Sequence, residues 1–216
     1  MAVPDAVRFA NTGTEVLTYG DVRGLDNDKR LFALKKRLDH WLVGQIDPLT
    51  RKDEKGEHVV YCPFPLVMLT CVTIETLGSI FFSGGVEKDE TRDIFESAAI
   101  YMDKGLKGPM EKGFKGKMRN YWTNDQLKTI ESASDVIYKF FRNCMLHSYR
   151  AKGVFIGVRK DSPPWEYGDG FLVIEPWKFW ELVRVNGYEK MFDEALSGKS
   201  ASMRSSAIVY LEKMLS

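Results

Sequence analysis

Ser134-Asp-Val-Ile-Tyr-Lys-Phe-Phe-Arg-Asn-Cys-Met-Leu-His-Ser148 is the stretch on which the reading of this chain turns. It reads as part of an apolar helix, and it carries Arg142 and His147 five positions apart. Arginine supplies a permanent planar cation whose donors suit a bidentate grip on phosphate. Histidine gives or takes a proton near neutral pH. Five residues advance about 500° around a helix, so the two side chains point about 140° apart. Asn143 and His147, four apart, do share a face, and Arg150 continues that stripe. Asn143 is therefore placed to hydrogen-bond His147 and fix its tautomer. Arg142 must reach around the helix or act from a second chain.

Upstream, Leu31, Leu34, Leu38, Trp41 and Leu42 recur at three- and four-residue steps, which predicts a helix over 26–46. Residues 47–59 are charged and read as a loop. Leu66 to Phe82 is apolar on most sides and predicts a helix in the middle of a bundle, opened near Pro65 and stopped by Ser83-Gly84-Gly85. A bilayer span needs roughly 20 predominantly apolar residues, and this run is interrupted by Thr70, Thr73, Glu75, Thr76 and Ser79. An amphipathic helix is expected over 88–103, a mobile basic loop over 104–118, and a helix from Asn124 to about Tyr149 with a break near Ser132–Ser134. Downstream, two apolar runs, 154–158 and 171–175, read as a β-hairpin with a long loop. A helix opens at Pro176 and breaks at Gly187. Residues 197–206 are Ser-rich and read as a linker before a short last helix. The fold class expected is mainly α. One domain spans 1–216, with an irregular lead-in over 1–23, a bundle over 24–196, a hairpin inserted at about 153–175, and a linker plus short C-terminal helix over 197–216.

Arg142-Asn-Cys-Met-Leu-His147 resembles the R-x4-6-H motif of the HEPN (higher eukaryotes and prokaryotes nucleotide-binding) superfamily, in the form where a polar residue follows the arginine. The flanking order is similar too: Phe140 and Phe141 before the arginine, an apolar helix upstream, and a short hairpin followed by a Pro-x-x-Phe helix at Pro176 and Phe179. The resemblance covers about residues 60–196. It implies a metal-independent endoribonuclease, with Arg142 on the phosphate, His147 as general acid and base, and Asn143 orienting it. It also implies a homodimer that pairs two motif helices, and a toxin–antitoxin or antiviral defence setting with an antitoxin protein as partner. The alternative is a non-catalytic HEPN module that binds nucleotide, RNA or a partner protein.

Further residues bear on the same site. Glu75 is a charge within the apolar helix, where it needs a partner such as Arg142; otherwise it lies on a narrow polar strip with Gly78. Lys104, Lys107, Lys112, Lys115, Lys117 and Arg119, followed by Tyr121 and Trp122, combine cations with aromatics and suit single-stranded RNA. The competing reading is a solvated loop. His147 near a helix end also suits the dipole without any chemistry, and Arg142 has Asp135 and Glu131 as alternative ion-pair partners. Trp165, Tyr167, Trp177 and Trp180 read as core.

Composition narrows the rest. The net charge of +1 means that any nucleic-acid surface is a local patch. The three cysteines, Cys62, Cys71 and Cys144, form no zinc-ligand spacing and suit a reducing cytoplasm, so no metal and no cofactor are expected. Cys144 reads as a core filler. The first residues lack a secretory pattern and no membrane span is expected. Gly-rich phosphate loops, GxSxG and HExxH are absent.

Overall fold

The computed structural model describes residues 3–11, 13–83, 91–108, 110, 113–119, 122–139, 154–157 and 161–216, the side chain of Gln126 excepted. Strands β1 (Arg8–Asn11) and β2 (Val16–Thr18) lead into α1 (Tyr19–Arg23) and α2 (Asn27–Leu38). A π-helical segment, Asp39–Val43, joins α2 to α3 (Gly44–Ile46). After a 3-10 turn at Asp47–Thr50 come α4 (Pro63–Phe81) and α5 (Thr91–Met102). A second 3-10 turn, Lys104–Lys107, precedes α6 (Phe114–Met118), α7 (Asn124–Lys128) and α8 (Ala133–Val136). Strands β3 (Val154–Ile156), β4 (Trp165–Tyr167) and β5 (Leu172–Ile174) follow. The chain closes with α9 (Pro176–Leu182), a π-helical segment Val183–Glu189, α10 (Lys190–Leu196) and α11 (Ala201–Leu215).

The expected mainly helical architecture holds, with α4 at its centre against α5, α9 and α11. By length and composition α4 is the one helix among the described residues apolar enough to cross a membrane, and 56% of its apolar window is buried inside the fold. Its polar residues sit comfortably in that interior. The hydroxyls of Thr70, Thr73 and Thr76 donate to the carbonyls of Leu66, Leu69 and Val72, one turn back, at 2.7–2.8 Å. Gly78 sets the approach of α5: a Cβ built there meets the Ile94 carbonyl oxygen at 2.6 Å. The residue is thus a helix-crossing point and not part of a polar strip with Glu75.

Several expectations give way. The lead-in is a β-hairpin plus α1, started by a capping box between Thr18 and Asp21. Trp41 is 54% exposed instead of lying on the buried face, because the wider turns of the π segment rotate it off the α2 stripe. The presumed mobile basic loop contains a 3-10 turn and α6, anchored by buried Leu106, Phe114 and Met118. The two apolar runs do not pair with each other as a hairpin. Strand β5 lies central, with β3 parallel on one side and β4 antiparallel on the other. The tight turn at Gly168–Gly170, where Gly170 has φ 84°, joins β4 to β5 and leaves only the opposite edge of β5 for β3. Nor does Gly187 break its helix. Backbone hydrogen bonding continues through it in π turns, and the missing Cβ admits the Met102 side chain. The supposed linker is the first half of α11, capped by Ser200.

A Gly78→Leu substitution is expected to lower the unfolding free energy by about 3 kcal/mol, because neither the Ile94 backbone nor α4 can yield without separating the helices. Gly116→Ala, on the open side of α6, is expected to be neutral or to stabilise by about 0.5 kcal/mol. Urea unfolding midpoints of the two variants check both values.

Candidate functional site

Arg142, Asn143, His147 and Arg150, the residues expected to act, lie outside the described residues, as do Lys112, Tyr121 and Cys144. The start of the segment that carries them is described. Ser132 caps α8, and its hydroxyl and the Asp135 carboxylate exchange hydrogen bonds with each other's backbone N–H in a capping box. Residues 137–139 continue in π turns. Asp135 is only 3% exposed. Its Oδ2 accepts from the Glu131 and Ser132 N–H groups at 2.8 and 3.2 Å, and its Oδ1 accepts from Arg92 Nε at 3.0 Å and from Arg92 Nη2. Among the described residues the cation that Asp135 holds is Arg92 of α5, a pairing that sequence separation hid. Lys139 Nζ donates to the Thr129 carbonyl at 3.0 Å. Burial, and then the Arg92 charge, hold its ammonium below the usual lysine range.

Glu75 sits half-buried on α4, with its expected partner outside the described residues. Of the basic stretch, Lys104, Lys107, Lys115, Lys117 and Arg119 are exposed. Lys117 pairs with Asp169 at 2.7 Å on the β4–β5 turn, and a Cβ on Gly170 would meet the Lys117 backbone at 2.8 Å. The stretch is thus docked on the sheet. Lys115, Arg119 and Lys128 line a shallow depression of about 470 Å³. Trp122 is buried and offers no stacking face. Asp103 accepts from Trp165 Nε1 at 2.9 Å and from the Gly105 N–H at 2.8 Å, which is a structural role. Among the described residues no group of three His, Cys, Asp or Glu is placed to hold a metal ion.

A cleft of about 990 Å³ is lined by Trp177 and Trp180, which the sequence marks only as core, and by residues such as His58 and Glu175 that it does not single out. One wall is a small hairpin over 51–59, bridged at Lys52 and His58. The other is the start of α9. The His58 ring stacks on Trp177 with centroids 3.9 Å apart and planes 15° apart, and Tyr61 lies against the same indole at 5.8 Å. Trp177 is fixed by its Nε1–H, which donates to the Leu49 carbonyl at 3.3 Å. Glu175, 5% exposed, caps α9 by accepting from the Lys178 N–H at 2.6 Å. Burial pushes its carboxyl up, against that hydrogen bond and the Lys178 charge. Burial, and then the Lys52 charge, push the His58 imidazole down from its ordinary 6.5, while the Thr50 carbonyl acts the other way. The only signal in the sequence was an acidic residue directly before Pro176-Trp177; His58 sits in a charged loop that gave no sign of it.

Two outcomes follow. Asp135→Ala is expected to lower stability by about 3 kcal/mol, combining loss of the cap with an unpaired Arg92. Asp135→Asn, which still caps, should lose less in thermal melts. The second concerns pH. Because the folded state holds His58 below 6.5, the unfolded chain binds the extra proton first. Stability from this group is complete above that value and falls as pH drops below it. A His58→Phe variant should keep the ring stack and lose less stability than wild type between pH 7.5 and 5.5, as read by denaturant midpoints.

Set against known proteins, the chain matches no family model, no curated protein and no solved structure.

Proposed function

We propose that this chain is a HEPN-like, metal-independent endoribonuclease. The observation that carries the reading is the Arg142–His147 motif with Asn143 beside it, in a mainly helical protein. It is supported by the firm start of the motif segment, where the capping box and Arg92 hold Asp135.

The chemistry follows from the residue types. His147 accepts the 2′-hydroxyl proton of the nucleotide before the cut. The freed oxygen attacks phosphorus, the bond to the 5′-oxygen breaks, and a protonated imidazole returns a proton to that leaving oxygen. The products are a 2′,3′-cyclic phosphate and a 5′-hydroxyl. Arg142 offsets the charge that grows on the equatorial phosphate oxygens. One imidazole serves one of the two proton transfers at a time, so a homodimer that presents two copies supplies base, acid and cation together. The exposed cations at Lys104, Lys107, Lys115 and Arg119 suit the flanking strand. A toxin or antiviral defence role, held in check by an antitoxin protein, belongs to the same proposal, as does a cytoplasmic setting.

His147→Ala and Arg142→Ala are each expected to reduce cleavage of single-stranded RNA at least 100-fold with unchanged circular dichroism. EDTA should leave the wild-type rate unaltered. Mixing the two inactive variants should restore part of the activity if the site is shared across a dimer. RNA that is bound yet uncut by wild type marks the non-catalytic alternative, and EDTA-sensitive cleavage rejects the metal-independent route.

A further inference from the structure

The cleft beside Trp177 is built from described residues to which the cleavage chemistry assigns no role. Its outer wall holds its own shape. Asp53 Oδ1 accepts from the N–H groups of Lys55 and Glu57 at 2.9 Å, and the Val59 N–H donates to the Arg51 carbonyl at 2.9 Å. Gly56, at φ 79°, makes the turn that returns the chain. The His58 ring of this exposed hairpin packs on Trp177 of the body. The indole is held at its edge by Leu49, so the stack is a rigid platform. The His58 ring is half-buried and borders the cleft.

Charge and size narrow what such a cleft takes. Lys52, Lys55, Lys178 and Arg184 border it, with Lys178 Nζ donating to the Ser162 carbonyl and Arg184 3.7 Å from Glu189, and Asp47, Glu57, Glu175 and Glu181 border it as well. Opposed charges of this kind do not draw in a long polyanion, but three cations suffice for one phosphate. The volume lies within the range of roughly 300–1,000 Å³ usual for small-molecule sites. An aromatic platform beside such cations fits a flat ring joined to a single phosphate. We propose that this cleft binds a nucleotide unit, its base on the His58–Trp177 stack and its phosphate among Lys52, Lys55 and Arg184. The source is either a free mononucleotide or one residue of a single strand. Recognition of base and phosphate by these groups calls on neither Arg142 nor His147, so it does not rest on the nuclease reading.

Titration of the full chain with AMP, adenosine, ribose 5-phosphate and the deoxy hexamer (dA)6, which lacks the attacking 2′-hydroxyl, tests this by calorimetry. AMP should bind at least 10-fold more tightly than ribose 5-phosphate, since stacking on an aromatic contributes about 1–3 kcal/mol per base. His58→Ala should weaken AMP at least 10-fold, and His58→Phe should restore it to within about threefold. Lys52→Ala should weaken AMP and leave adenosine unchanged. Tighter binding of (dA)6 than of AMP, with the same dependence on residue 58, assigns the site to a strand; the reverse order assigns it to the free nucleotide. Absence of binding by both at millimolar concentration overturns the proposal. So does binding that is indifferent to His58→Ala but lost in Arg119→Ala, which would move the site to the basic depression. Loss of RNA cleavage in His147→Ala with AMP binding intact would leave this site standing on its own.

Discussion

The close crossing of α4 over α5 is the constraint on which the other contacts rest. α4 is apolar on nearly every side, so it is stable only when neighbours cover it, and Gly78 lets α5 approach to backbone distance. Once α5 is set there, its two ends organise the rest. At its start Arg92 takes hold of Asp135 and so fixes where the motif segment begins. At its far end the Met102 carbonyl accepts from Asn186 Nδ2 at 3.2 Å, and Asp103 receives Trp165 of the sheet. One helix therefore ties together the elements before and after the motif.

Buried polar groups serve as joints in much of this molecule. Tyr188 donates to Asp39 Oδ1 at 2.5 Å, with the Lys35 carbonyl 3.0 Å from the same hydroxyl, which joins the two π-helical segments across about 150 residues of chain. Burial, and then the Asp39 hydrogen bond, push its phenol far above the usual range, so it acts as a fixed donor. Asp135 and Asp103 are acceptors of the same structural kind. Such groups stabilise because each is satisfied, and removing one partner strands the other in the interior. The cleft at Trp177 differs, since its buried carboxyl and imidazole border open space.

Much of the helical plan was legible in the sequence. The three- and four-residue steps of α2, the apolarity of α4 and the break near Ser132–Ser134 are local signals, and the helices begin and end close to where those signals lie. The misreadings share a cause. Gly187 reads as a breaker because glycine lacks intrinsic helix preference, yet tertiary packing against Met102 makes a small residue necessary there. The lysines of 104–119 read as loop because charge dominates the local pattern. Leu106, Phe114 and Met118, widely spaced, find the core only when the segment folds back.

By itself the sequence determined that the chain is mainly helical, that the apolar run Leu66–Phe82 occupies the centre, and that one short segment bears Arg142 and His147 five positions apart. Each of these depends on side-chain identity and short-range spacing, which the chain carries in any conformation. Only the tertiary structure decided that β3 runs parallel to β5, that Asp135 belongs to Arg92, and that His58 lies on Trp177. Those pairings join residues 18, 43 and 119 positions apart. Many alternative partners exist at such separations, and the choice among them is made by which arrangement buries α4 while giving interior groups such as Asp135 a partner.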